Sequence, residues 1–233
     1  MPDLPPNVRS FVRTTWTPTV ASGDPARGSK FGGTAWLPAG TSHPCCGNCE
    51  RPLPLIVQLD VASLPEPARF GGHGILQLFY CLSTDPLCEN DCAAWDPHAN
   101  SVVARRIDAG ASGSVSEARA PVLEAKAIVG WTAHPDVPNP EEFEAWTEDV
   151  EQDLSEDERD ILRPRSGEKL WGWPCWIQGV EYPNCRICDT PMQLVLQIDS
   201  GGLVDVVWGD LGCAHLTQCP NHPEELAFGW ACG

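Results

Sequence analysis

Apolar and polar positions along the chain fall into a pattern that occurs twice. An apolar run closing on an acid, LPLIVQLD at 53–60, has a counterpart in MQLVLQID at 192–199. A second apolar run follows each one, GILQLFYC ending at Cys81 and CAHLTQC ending at Cys219. Short apolar runs bounded by turn residues predict strands, so each unit reads as strand, turn, strand. An offset of 139 residues superposes Lys30 on Lys169, Gly33 on Gly172, Cys46 on Cys185, Cys49 on Cys188, Pro52 on Pro191, Gln58 on Gln197 and Asp60 on Asp199. Both copies therefore spell C-x-x-C-x-x-P-Φ-x-Φ-x-Φ-Q-Φ-D, with Φ apolar, which makes an internal duplication the simplest account.

Between the copies, VVARRI and EAKAIVGW read as further strands of the first half, and GASGSVS (110–116) as a small-residue loop. After Pro138 the period becomes helical. Asn139 and Pro140 supply an N-cap and a first-turn proline, and Phe143, Trp146, Val150 and Leu154 form an apolar stripe. Ser155 and Glu158 read as the capping box of a second helix ended by Pro164. The expected fold is thus α+β and β-rich, a duplicated zinc-ribbon-like unit with an acidic helical insert between the copies. The expected parts are 1–138, a connector at 139–164 whose acidic face meets water, and 165–233, together forming one globule.

Composition supports the strands. The chain of 233 residues holds 23 prolines and 21 glycines, and at 42% hydrophobic it can bury a core. Net charge is −17, and Glu141 to Asp160 alone holds eleven acids against one arginine. Phosphate binding relies on clustered Lys and Arg, so this balance disfavours a nucleic-acid surface and suits a basic partner. No apolar run near the start resembles a signal peptide, and no window approaches the ~20 apolar residues of a membrane helix. The expected location is the cytoplasm, where abundant cysteine in C-x-x-C pairs points to metal.

Zinc takes four ligands in a tetrahedron, and each C-x-x-C turn supplies two. In the first copy Cys46 and Cys49 are joined by Cys81 and by either Cys88 or Cys92. In the second, Cys185 and Cys188 are joined by Cys219 and His222, with Cys213 as the substitute for the last. Two structural Zn²⁺ ions are expected, since a fully ligated ion leaves no position open for catalysis. Cys45, Cys175 and Cys232 have no counterpart in the other copy.

Deaminase, P-loop, G-x-S-x-G and H-E-x-x-H motifs are absent. His43, His73, His98, His134 and His215 read as surface or loop residues. Of the ten tryptophans, Trp171, Trp173 and Trp176 crowd one strand lead-in, either as core or as an aromatic groove for an extended segment.

The strings KFGGTAWLP, CGNCERPLPLIVQLD, GILQLFYC, KLWGWPCWIQ, CRICDTPMQLVLQID and WGDLGCAHLTQC resemble the YwqG-like bacterial family, domain of unknown function 1963. More distantly, the duplication is similar to the programmed-cell-death-protein-2 family, whose members act as chaperones for a basic ribosomal protein. The resemblance implies a duplicated α+β fold with no established activity. It supports Cys219 and His222 as a closing pair, with histidine standing where the family has cysteine. Family sequences with C-x6-C favour Cys88, and the distance to Trp95 favours Cys92. The expected function is a non-catalytic protein-binding module, chaperone-like or immunity-like, for a basic partner. The alternative is an enzyme or nucleic-acid-processing factor with Asp60, Asp199 and Asp210 in a site between the copies.

Overall fold

In the computed structural model, residues 4, 6–68, 73–146 and 162–233 are described. Twelve strands appear among them: β1 (Arg13–Ser22), β2 (Lys30–Phe31), β3 (Trp36–Pro38), β4 (Leu55–Asp60), β5 (Ile75–Tyr80), β6 (Val102–Ile107), β7 (Gly113–Val115), β8 (Lys126–Asp136), β9 (Lys169–Leu170), β10 (Gln193–Asp199), β11 (Cys213–Gln218) and β12 (Leu226–Ala231). Three helices are short: α1 (Pro6–Arg9), α2 (Cys88–Asp91) and α3 (Pro140–Trp146). Strands β5 and β11 are buried at every position, and β4 and β10 nearly so. Covered on both faces, β4, β5 and β10 read as near-continuous apolar runs broken by a buried glutamine, whereas β11 also buries His215, Thr217 and Gln218.

Ten strands make one antiparallel sheet in the order β12-β11-β10-β9-β1-β8-β2-β4-β5-β6. Its two edge strands come back into contact, so the sheet nearly closes on itself. Arg106 on β6 bridges the closure, donating to Gln218 Oε1 at 2.6 Å and to the Pro223 carbonyl. The enclosed core draws on both copies, with Ile56, Leu78 and Tyr80 beside Leu196, Trp208, Phe228 and Trp230.

The sheet is two-fold in its order. Outward from the centre run β9, β10, β11, β12 on one side and β2, β4, β5, β6 on the other. The two central strands are exchanged: β1 precedes β2 in the chain yet pairs with β9, and β8 precedes β9 yet pairs with β2. β1 and β8 pair with each other along ten residue pairs, from Arg13↔Asp136 to Ser22↔Lys126. The strand in EAKAIVGW, read from the sequence as part of the first half, thus takes in the second copy the place that β1 takes in the first.

Each copy repeats one buried polar network at the 139-residue offset. Gln58 Nε2 donates to the carbonyls of Ala26 and Gly28, and Gln197 Nε2 to those of Arg165 and Gly167. Gln58 Oε1 accepts from Trp36 N, and Gln197 Oε1 from Cys175 N. Lys30 and Lys169 are fully buried, and each is neutralised by an acid at the C-terminal end of an exchanged strand, Asp24 just past β1 or Asp136 closing β8. Those acids also accept from Thr34 N and Trp173 N. Asp24 lies 112 residues from Asp136, not 139, because the second copy carries extra residues between its acid and its lysine. Burial alone would raise the Asp24 carboxyl, but its bonds to Lys30 and Thr34 prevail and hold it below the usual carboxylate range. Burial pulls the Lys169 ammonium down, against the opposing charge of Asp136.

The recurring glycine has a steric cause. At Gly33 (φ +74°) an added Cβ would lie 2.5 Å from Asp24 Oδ1, and at Gly172 (φ +86°) 2.3 Å from Asp136 Oδ2. Both positions combine the left-handed conformation with no room for a side chain.

Three expectations are corrected. Among the described residues the class is β rather than α+β, the helices there spanning four, four and seven residues. Among the described residues of 139–164 no acidic helical insert packs on the sheet; helix there is confined to α3, capped as expected by Asn139 Oδ1 accepting from Glu142 N at 2.7 Å. Phe143 docks on Leu4, Val8 and Leu162, away from the main core, and Glu142 is buried where an acidic helix face would meet water. Val150, Leu154, Ser155 and Glu158 lie outside the described residues. The loop at 110–116 contains β7, which pairs with β3 because Gly113 lets it approach Leu37 closely.

Candidate metal centres and the cleft between the copies

The hairpin β4–β5 brings Cys81, at the end of β5, back to the knuckle that precedes β4, and β10–β11 does the same for Cys219. The knuckles are superposable in detail. Cys46 N donates to Arg51 O and Cys185 N to Thr190 O. Glu50 and Asp189 then turn through the left-handed region (φ 60° and 58°), returning their amides to the carbonyls of Cys46 and Cys185.

Two groups that can hold a metal ion result: Cys46, Cys49, Cys81 and Cys88, and Cys185, Cys188, Cys219 and His222. In the first, Cys46 Sγ lies 3.8 Å from Cys88 Sγ and Cys49 Sγ 3.7 Å from Cys81 Sγ. In the second, Cys188 Sγ lies 3.6 Å from Cys219 Sγ, and His222 Nδ1 lies 3.7 Å from both Cys185 Sγ and Cys219 Sγ. Backbone amides of Asn48, Ile187 and Asn221 point at Cys46, Cys185 and Cys219, each at 3.4 Å. Cys88 opens α2 and is fully buried in the first group; Cys92, at the end of that turn, stands outside it with its thiol pushed up by burial. Cys213 is also outside, on β11, where its thiol donates to Asp199 Oδ1 at 3.1 Å.

In each group the second cysteine of the knuckle is acidic, and in the second group the Cys185 thiol is lowered as well, burial opposing this but outweighed by its backbone and thiol hydrogen bonds. Hydrogen bonds from Thr190 bring the Cys188 thiol down to about 6. At Cys49, burial opposes ionisation, but the Arg51 amide and the neighbouring thiols bring it to about 7. Burial pushes Cys81 and Cys219 the other way.

The carboxylates considered for a site between the copies are engaged elsewhere. Asp60 Oδ1 accepts from Ala62 N and caps a 3₁₀ turn, and Asp199 Oδ2 accepts from Gly167 N at 2.7 Å. Asp210 is on an exposed turn.

What does lie between the copies is a cleft of about 710 Å³. One wall comes from the loop after α2, where Trp95 stands edge-on to Trp230 of β12 at 5.9 Å. That loop seats on β12 because Gly229 has no side chain: a Cβ there would lie 2.9 Å from the Trp95 carbonyl. Trp176 and Tyr182, edge-on at 4.9 Å, form the other wall. Buried Glu142 fixes them, accepting from Tyr182 Oη and, at 3.2 Å, from Trp176 Nε1. His215 forms part of the floor, tilted against Trp176 with ring centroids 4.7 Å apart, and the acids Glu89, Asp96 and Glu181 contribute to the lining. Of the three crowded tryptophans only Trp176 lines this cleft; Trp173 is buried beneath the Arg13 guanidinium.

Two features escaped sequence reasoning. Trp95 and Trp230 carry no local motif, and His215, read as a surface or loop residue, is 6% exposed. A signal for His215 was present, since it takes in the second copy the place on the strand that buried Gln77 takes in the first. Burial lowers its imidazole to about 3, with the Lys169 charge adding to the effect. The unfolded chain takes up that proton near pH 6.5 and the folded chain does not. Stability from this group is therefore complete above about pH 6.5 and declines toward pH 3, by up to about 1.4 kcal/mol per pH unit. His215→Gln should remove that slope. Urea titrations at successive pH values test this, and parallel curves for the two proteins between pH 6.5 and 4 would reject it.

Among the described residues no helix is long and apolar enough to cross a membrane. No curated protein matches the chain in sequence. Residues 29–218, from β2 through β11 and so containing both knuckles, match the family described as Domain of unknown function (DUF1963), to which this chain belongs.

Proposed function

We propose that the protein is a non-catalytic, zinc-stabilised binding module, chaperone-like or immunity-like, that holds a basic partner in the cleft between its copies. The carrying observation is that cleft: aromatic walls drawn from both copies, a lining that includes three acids, and a chain of net charge −17 around it. Cations bind aromatic faces, and acids beside them raise the local attraction.

Zinc suits the donor sets. With Zn–S of about 2.3 Å, sulfurs in a tetrahedron sit about 3.8 Å apart, which is the spacing of the thiol pairs across the first group. A set of four cysteines and a set of three cysteines with one histidine are closed, structural ligations, leaving no position for water or substrate. Cys46, Cys49, Cys81 and Cys88 would hold one ion, and Cys185, Cys188, Cys219 and His222 the other.

Tryptophan fluorescence titration with a Lys/Arg-rich peptide and an acidic peptide of the same length tests the binding role. The basic peptide should bind, and more weakly at high salt. Equal indifference to both peptides would refute the proposal.

A further inference from the structure

The floor of the cleft specifies more than positive charge. The Cys213 thiol donates to Asp199 Oδ1 at 3.1 Å. Its proton committed there, the sulfur faces His215 Nε2 at 3.6 Å as an acceptor. Burial and the Asp199 charge keep this thiol protonated, and burial keeps the imidazole neutral. The hydrogen-bond chain therefore places the imidazole proton on Nε2 and leaves Nδ1 a bare lone pair. Nδ1 has no hydrogen-bond partner among the described residues, although the side chain is more than nine-tenths buried at the cleft.

An acceptor without a donor on a residue that lines the cleft, between aromatic walls and near acids, asks for a flat cation rich in N–H groups. Building on the binding role proposed above, we infer that the cleft receives an arginine side chain of the basic partner, its guanidinium stacked on Trp176 or Trp95 and donating to His215 Nδ1. A quaternary ammonium has no N–H to give this acceptor. A lysine ammonium donates but lacks the planar face that stacks on a ring, and its hydration is costlier to remove. Glu89, Asp96 and Glu181 would offset the charge without forming a fixed fork, so recognition falls to the stack and the imidazole.

Three peptides of one length decide the matter: arginine-rich, lysine-rich, and the arginine peptide with citrulline at every arginine. The proteins are the wild type, Trp95→Ala and His215→Leu. Trp95 is 47% exposed, so its truncation leaves the fold intact; His215→Leu is used only if its thermal melt stays cooperative. The expected result is binding of the arginine peptide at least tenfold tighter than either of the others, with the preference over lysine reduced to less than threefold in each variant. Equal binding of arginine and lysine peptides, unchanged by Trp95→Ala, would overturn the assignment while leaving a charge-driven binding module standing. Failure of both cationic peptides to bind would overturn both.

Discussion

Cys185→Ser is expected to release one metal ion per chain and to lower the melting temperature by about 10 °C or more. The loss exceeds that of an ordinary buried thiol because Cys185 belongs to a cluster, with Met192, Cys219 and Ala227, whose apolar share is small. Structural zinc supplies on the order of 10 kcal/mol to small sites, comparable with the whole stability of a typical domain. For a chain of this size each kcal/mol moves the midpoint by roughly 2–4 °C. Elemental analysis paired with differential scanning calorimetry gives both readouts. Two zinc ions in the wild type, one in the variant and a large drop on chelation agree with structural sites. A variant that keeps two ions, or a melt indifferent to chelator, would contradict them.

Asp136→Ala should cost about 3–5 kcal/mol, the penalty for leaving a buried charge without its partner. Lys169 is fully buried, and Asp136, 1% exposed, binds its ammonium at 2.8 Å. The same carboxylate accepts from Arg165 N at 2.7 Å and Trp173 N at 2.8 Å, so alanine abandons three donors at once. The equivalent change Asp24→Ala should cost less, because Asp24 is 35% exposed and water can reach the lysine it leaves. Urea unfolding of both variants checks the order, and equal losses would show that burial does not set the cost.

The grouping of the cysteines was the most legible part of the sequence. A C-x-x-C pair restricts two thiols to one turn, so Cys46 with Cys49 and Cys185 with Cys188 could be read from spacing alone. Cys88 against Cys92 could not, because a single turn of helix decides which thiol faces the knuckle, and spacing does not record that rotation. The duplication was legible for a similar reason, since Gln58 and Gln197 keep identical duties at one offset. Strand exchange was hidden: β1 and β8 have mostly half-buried or exposed positions, and nothing in Arg13–Ser22 says which neighbour it pairs with. The start of the helical stretch was legible because Asn139 and Pro140 are strong local signals, and α3 opens there; Phe143 was legible as apolar, though not that it docks on Leu4, Val8 and Leu162. The cleft was invisible, as Trp95 and Trp230 meet across 135 residues of chain.

The exchanged central strands bear on how such a molecule comes into being. A single copy that sends its first strand into a neighbour's sheet can finish its own sheet only by receiving one in return. The smallest assembly of a half-length chain built this way is a closed dimer with a two-fold axis through the β1–β8 pair. Joining the halves turns that encounter into an intramolecular one, set by tether length and not by the protein's concentration. It also frees the halves to diverge. One has cysteine as the last member of its candidate metal group and the other has histidine; one offers Trp95 to the cleft and the other His215. A symmetric dimer would have had two identical clefts, or one astride the axis with both sides alike, and the fused chain can give one cleft two different sides.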